Sequence, residues 1–199
     1  MHEILVLYYS KTGATEKMAK RIAHGVEEVK GAQAKIRTVP PISAKNSSLI
    51  ETPPDTGPAY ATLDDIRACD GLIIGSPTRF GNMSAELKHF IDQTTTEWLS
   101  GSLIGKPAAA FTSTSSMHGG QETTLLTMMM PLLHHGMLLV GLPYSEKDLI
   151  NTKTGGTPYG ASHVSGENND TDLSDSEISL CKALGKRVST LSLMVKKNS

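Results

Sequence analysis

Five short apolar runs, at residues 3–8, 34–39, 71–75, 107–111 and 137–141, recur along this 199-residue chain, and segments of helical period lie between most of them. The spacing predicts helices at 15–29, 62–68, 84–94, 121–134 and 174–196, where apolar residues return every three or four positions. The run at 34–39 alternates, but Ile4-Leu5-Val6-Leu7-Tyr8 and Gly71-Leu72-Ile73-Ile74-Gly75 are continuous and offer no polar side to water. A strand buried on both faces belongs in a parallel sheet, because crossover helices cover it above and below. The chain is therefore expected to be α/β, a doubly wound five-stranded parallel sheet with helices on both faces.

Such a sheet is flavodoxin-like in its architecture. The length fits a single domain spanning 1–199, with long surface excursions near 40–60 and 144–172. The first is rich in Pro, Ser and Thr; the second contains Gly155-Gly156-Thr157-Pro158-Tyr159-Gly160 and Gly166-Glu167-Asn168-Asn169-Asp170. Structureless loops of that length are usually functional or face a partner. Cys69 and Cys181 are the only cysteines, without CxxC spacing, so neither a disulfide framework nor a thiolate metal site is expected. Met-His-Glu leads straight into the first strand with no basic, apolar leader, and no apolar run approaches the roughly 20 residues that span a bilayer. A cytoplasmic chain without an integral membrane segment is the expectation. A formal net charge of −1 and the lack of any Lys/Arg block argue against a nucleic-acid partner.

Open parallel sheets bind ligands outside the carboxyl ends of their strands, so the residues following each strand belong to one constellation. After the first come Ser10, Lys11, Thr12, Gly13, Ala14 and Thr15, opening a helix. Free N–H groups at a helix start, the helix dipole and three hydroxyls together make a cradle for phosphate. The same residues also read as an ordinary βα turn with Thr15 as N-cap. After the third strand come Ser76, Pro77, Thr78, Arg79, Phe80, Gly81, Asn82, Met83 and Ser84. After the fourth come Thr112, Ser113, Thr114, Ser115, Ser116, Met117, His118, Gly119 and Gly120. Taken singly each loop reads as a solvated connection; three at one edge, all without carboxylates, suit a phosphate joined to a flat heterocycle. Arg79 and Phe80 could support such a ring by charge and by face contact. The first loop lacks the G-x-x-x-x-G-K-[S/T] of a P-loop and the G-x-G-x-x-G of a dinucleotide site. It has no cysteine nucleophile, and Asp70 precedes the third strand rather than ending it. FMN is the ligand that remains.

Leu5-Val6-Leu7-Tyr8-Tyr9-Ser10, Gly75-Ser76-Pro77-Thr78-Arg79-Phe80-Gly81-Asn82-Met83, Gly119-Gly120-Gln121-Glu122, His134-His135-Gly136-Met137 and the Gly155–Gly160 run (155–160) together resemble WrbA-type NAD(P)H:quinone oxidoreductases. The resemblance runs from the first strand to about Gly160 and resumes weakly in the final helix. It implies a flavodoxin-like FMN protein working as a homotetramer, with NAD(P)H as electron donor and a quinone as acceptor. By position it implies that FMN phosphate meets Ser10, Lys11, Thr12, Gly13, Ala14 and Thr15. The ring edge would meet Pro77, Thr78, Arg79, Phe80 and Gly81 and the loop of Ser113, Thr114, Ser115, Ser116, Met117, His118 and Gly119. His134 would lie by the flavin as the catalytic residue, and Trp98 and Thr12 would contact substrate. Two departures stand out: the 113–119 loop is bulkier and one residue longer than the glycine-rich form, and Thr12 stands where an aromatic or small residue is expected.

Read without the resemblance, Trp98 is a core or interface anchor. His134 and His135 then form a helix C-terminus with Gly136 as its stop. Adjacent residues point to different sides of a helix, which excludes a metal site there. Pro131 is expected to kink or shorten that helix, and Cys69 and Cys181 to pack inside. The function expected is ping-pong, two-electron reduction of quinones to hydroquinones by NAD(P)H through FMN. The alternatives are a flavodoxin-type electron carrier, which a nearly neutral chain disfavours, and a flavin-regulated interaction protein without turnover.

Overall fold

The first apolar run forms the strand β1 (His2–Tyr8), which a glycine-capped turn delivers into α1 (Ala14–Glu27). In the computed structural model, which describes residues 1–42 and 57–197, the chain continues through β2 (Ala32–Thr38), α2 (Leu63–Ala68), β3 (Gly71–Pro77), α3 (Ala85–Asp92) and α4 (Thr95–Leu99). It then runs through β4 (Pro107–Thr114), α5 (Gln121–His134), β5 (Leu138–Leu139), α6 (Asp148–Asn151), β6 (Ala161–Val164) and α7 (Asp175–Lys197). Positions 43–56 of the first expected excursion lie outside the described residues. The strands are parallel in the order β2-β1-β3-β4-β5, the doubly wound flavodoxin-like sheet. Among the described residues, no helix is long and apolar enough to cross a membrane.

Alternate residues of the central strands feed two cores, one on each face of the sheet. Ile4 and Val6 pack with Met18, Ile22 and Val26 of α1 and Leu180 and Leu184 of α7. Leu5, Leu7, Leu72 and Ile74 pack with Leu87 of α3 and Leu125, Met128 and Leu132 of α5. This is why the runs are continuous: both sides of each strand leave water. Helices α1 and α7 meet backbone to backbone, and a Cβ on Gly25 would stand 2.1 Å from the Lys182 carbonyl oxygen.

The fifth lane of the sheet differs from expectation. β5 pairs only with the start of β4, Pro107↔Leu138 and Ala108↔Leu139. The end of β4 is covered by β6, from Phe111↔Ala161 to Thr114↔Val164. The 144–172 segment is therefore not a structureless excursion: the chain leaves the sheet, makes α6, and returns as a sixth strand. Ala-Ser-His-Val carries no apolar run because its polar members are buried against partners. Ser162 Oγ donates to Gln121 Oε1 at 2.6 Å, and His163 Nδ1 lies 2.9 Å from Glu177 Oε2. β4 likewise runs past 111, with the Thr112 hydroxyl donating to Ser76 O (2.8 Å) and the Thr114 hydroxyl to Ser116 O (2.7 Å).

Three features of the helices also differ from expectation. The 84–94 helix ends at Asp92, and a further helix not expected from the spacing, α4, follows at Thr95–Leu99; between them Thr94 Oγ1 donates to Ile91 O at 2.7 Å and offers the backbone an alternative to continuing. Pro131 does not shorten α5, which continues to His134; its missing N–H falls in the last turns, and Met128 and Leu132, both buried, hold the helix on the core. Thr15 is not the N-cap of α1: Gly13 is, at φ +92°.

Helix α2 starts in a capping box, Asp65 N to Thr62 Oγ1 (3.2 Å) and Thr62 N to Asp65 Oδ2 (2.9 Å). Asp65 also receives Lys35 Nζ at 2.8 Å and Arg37 Nε at 3.3 Å. Burial pushes its carboxyl up, but the bonds from Lys35 and Thr62 and the charge of Arg37 outweigh it and hold it below the ordinary 3.8. A carboxyl depressed by folding adds stability above its unfolded value, and that stability is lost as pH falls through the folded one. Asp65→Asn is thus expected to destabilise the protein at pH 7 and to narrow its gap from wild type below about pH 4. Urea midpoints across pH 7 to 3 check this; a gap independent of pH would contradict it.

Candidate functional site

At the carboxyl edge of the sheet the three loops meet in a cleft of about 250 Å³. Ser10, Lys11, Thr12 and Thr15 form one wall, Pro77, Thr78 and Arg79 another, and Ser113, Thr114 and Ser115 a third. Among the described residues no carboxylate lines it, and Lys11 and Arg79 bring positive charge. Whole small-molecule pockets run from about 300 Å³ upward, so this volume suits one part of a ligand, such as a phosphate, with the rest on the open edge.

The first loop is built around Ser10. Its Oγ accepts from Gly13 N (3.1 Å) and Glu16 N (3.3 Å), so its own proton is free to donate into the cleft. Gly13 takes a left-handed conformation with nothing within 4 Å of where a Cβ would stand. That turn puts Ala14 and Thr15 in the first turn of α1, where N–H groups have no carbonyl four residues back. Ala14 is buried beneath the loop, whereas Lys11 and Thr12 are exposed. Thr15 is buried, and its Oγ1 lies 2.9 Å from Ser113 Oγ. This hydroxyl pair joins the first loop to the end of β4.

The second wall is a two-residue hairpin. Arg79 and Asn82 exchange both backbone bonds (2.7 and 3.0 Å), with Phe80 at φ 51° and Gly81 at φ 76° at the tip. Thr78 N donates to Ser113 O at 2.9 Å, and its hydroxyl is 2.7 Å from Thr124 Oγ1. Phe80 is fully exposed. A bulky residue with positive φ is strained, and here no packing recovers the cost. Phe80→Asn is expected to raise the melting temperature of the flavin-free chain by about 2–4 °C, the shift for roughly 1 kcal/mol at this size. A lower melting temperature would show that the ring is covered by something the chain alone does not supply.

Along the third loop, Ser116, Met117 and His118 are exposed beyond the cleft walls, and Gly119 turns back into α5. Gln121 Nε2 holds Met117 O at 2.7 Å. One lining residue is absent from the sequence reading: Asn169, from the loop after β6. The signal for it would have been a turn cluster, Gly166 to Asp170, following a strand, but the strand was not recognisable.

Trp98 and His134 are together, but elsewhere. Trp98 Nε1 donates to His134 O at 2.8 Å, and both line a separate cleft with Ile91, Met130, Pro131 and His135. The 14 residues of α5 at about 1.5 Å each put His134 about 20 Å from Gln121, away from the carboxyl edge. His134 therefore lies at the end of α5 away from its own chain's cleft. The order of strand, loop and helix already put the N-terminal end of that helix at the loops, and so its C-terminal end away from them. Burial holds the neighbouring His135 below its ordinary value, with Glu97 opposing and His134 adding to the effect.

The sequence profile described as NADPH-dependent FMN reductase matches residues 3–146. Among solved structures, the chain is similar to a flavodoxin, WrbA-like protein from Agrobacterium tumefaciens, with 23% identity, TM-score 0.69 and coverage of 98% and 99% of the two chains. It is similar to a flavodoxin from the domain Archaea (20% identity, TM-score 0.62, coverage 98% and 99%). The Megasphaera elsdenii flavodoxin in its two-electron reduced form matches with 17% identity, TM-score 0.58 and coverage 94% and 98%. At these identities the structures share the fold.

Proposed function

The chain belongs to the NADPH-dependent FMN reductase family, and from that membership we propose that it is an FMN-dependent NAD(P)H:quinone oxidoreductase. The observation that carries the reading is the carboxylate-free cleft in which Ser10 presents a free hydroxyl proton beside the open N–H groups of Ala14 and Thr15. That donor set fits a phosphate dianion. FMN, when bound, supplies the two-electron chemistry between nicotinamide and quinone.

The chain's residues bind and orient. Ser10, Lys11, Thr12, Gly13, Ala14 and Thr15 hold the phosphate end. Pro77, Thr78, Arg79, Phe80 and Gly81, with the 113–119 loop, would hold the ring edge. His134, at the other end of α5 from Gln121 and about 20 Å from it, and Trp98, bonded to it, meet a substrate only at a neighbouring subunit's site. Exposed Trp98, Leu99, Met130, Leu133 and Leu138 support such an assembly, a homotetramer.

The test is an anaerobic stopped-flow mix of FMN-loaded protein with NADH, then NADPH, then benzoquinone. Loss of the flavin absorbance with one donor and full recovery with quinone is the expected result. A flavin that stays oxidised with both donors removes the quinone reductase reading and leaves an electron carrier or a flavin-regulated interaction protein.

A further inference from the structure

Asn169 enters the cleft from a fourth loop, residues 165–172, which follows β6 at the same sheet edge. The loop is closed on itself by Thr171 N to Ser165 O (3.0 Å) and Asn169 N to Gly166 O (3.1 Å), with Asn169 at φ 56°. Its Oδ1 and the Thr114 carbonyl oxygen both lie 3.0 Å from Ser165 Oγ and share that hydroxyl's proton, and with Oδ1 so turned the amide NH₂ faces away from Ser165 as a donor. The far end of the loop is tied to α1 by Asp172 and Lys17 at 2.6 Å, one turn beyond the phosphate cradle. Asn169 thus lines the same cleft as Ser10, Thr12 and Thr15, on a loop that is itself tied to α1.

Beneath this loop lies a buried, hydrogen-bonded His–Glu pair that the expected chemistry does not use. His163 is wholly buried and Glu177 is 1% exposed. The imidazole reaches Glu177 Oε2 through Nδ1 (2.9 Å) and Thr171 O through Nε2 (3.2 Å). Glu177 also accepts from Gly155 N (2.8 Å), Val164 N (3.1 Å) and Ser174 N (2.8 Å). One carboxylate therefore grips the chain just before the loop, at Val164, and just after it, at Ser174. The imidazole spans the gap to Thr171 within it. Burying polar groups costs desolvation that their hydrogen bonds only offset, and the bonds to Val164, Thr171 and Ser174 converge on the segment that carries Asn169.

Resting on the FMN reading above, we propose that Asn169 donates to the phosphate of the bound mononucleotide and that His163 and Glu177 are the positioning residues that hold it there. The sequence of links is short: Glu177 to His163, His163 to Thr171, and the closed 165–171 turn to Asn169. Asn169 makes no core contact, so its variants should fold.

The test compares FMN with riboflavin, which lacks the phosphate, by quenching of flavin fluorescence. Asn169→Ala is expected to weaken FMN binding about 10-fold, the loss for one charge-assisted bond, and to leave riboflavin unchanged. Asn169→Asp, which sets a carboxylate against the phosphate, is expected to weaken FMN further and again spare riboflavin. His163→Gln should match Asn169→Ala, and the double variant should lose little more than either, because both act through one contact. The proposal is overturned if Asn169→Ala binds FMN as wild type does, if FMN and riboflavin weaken together, or if the two losses add. Wild-type protein that binds no FMN would instead remove the cofactor reading itself.

Discussion

Gly75→Ala is expected to lower stability by about 3 kcal/mol, and Phe111→Leu in the same chain to recover much of that loss. Gly75 on β3 stands in register with Phe111 on β4. A Cβ at Gly75 would lie 2.0 Å from Phe111 Cζ, far inside any permitted contact. The ring cannot swing aside, because Phe111 is wholly buried in the cluster that includes Ile73, Ala161 and Leu180. Leucine lacks the outer ring atoms and opens that space, at the cost of a cavity of its own. Chemical denaturation of the two single variants and the double variant measures the coupling. Additive losses would show that the clash is relieved elsewhere. The stakes are functional too, since Gly75 is two residues before Pro77, and a displaced β3 end would carry the Thr78–Arg79 wall with it.

Ser10→Ala is expected to weaken FMN binding about 30-fold, with a smaller effect on riboflavin, whereas Thr15→Val is expected to cost stability more than affinity. The two hydroxyls look equivalent in the sequence, and the structure separates them. Ser10 Oγ already accepts two backbone N–H groups, so its proton is left for an anion, and a hydrogen bond to a charged group is worth roughly 1.5–3 kcal/mol. The Thr15 hydroxyl is 1% exposed as part of a buried residue and is paired with Ser113; losing it leaves Ser113 without that partner, about 1 kcal/mol. Flavin titrations and thermal melts of both variants decide it. If Thr15→Val loses more FMN affinity than Ser10→Ala, the phosphate is held by the hydroxyls deep in the cleft rather than by the rim.

The sheet was readable from the sequence because its signal is local. Continuous runs such as Leu72-Ile73-Ile74 can sit only where both faces are covered, and helical spacing such as that of 121–134 needs no knowledge of the rest of the chain. The site loops were readable for a related reason: once the strands are parallel, the chain must pass the carboxyl edge after each one, and Ser10, Thr78 and Ser113 must gather there. β6 was not readable, since Ser162 and His163 are polar residues whose burial depends on Gln121 and Glu177, 41 and 14 positions away. Asn169 was lost with it.

By itself the sequence determined the parallel sheet, the alternation of its strands with helices, and three loops at one edge rich in hydroxyls and without carboxylates, because periodicity and loop chemistry are written within a few neighbouring residues. Only the tertiary structure decided which hydroxyl is spent on packing and which is free, that the fifth lane is shared by two strands, and that Trp98 is bonded to His134. Those are matters of partners distant along the chain, and no local pattern records a partner that folding alone brings into contact.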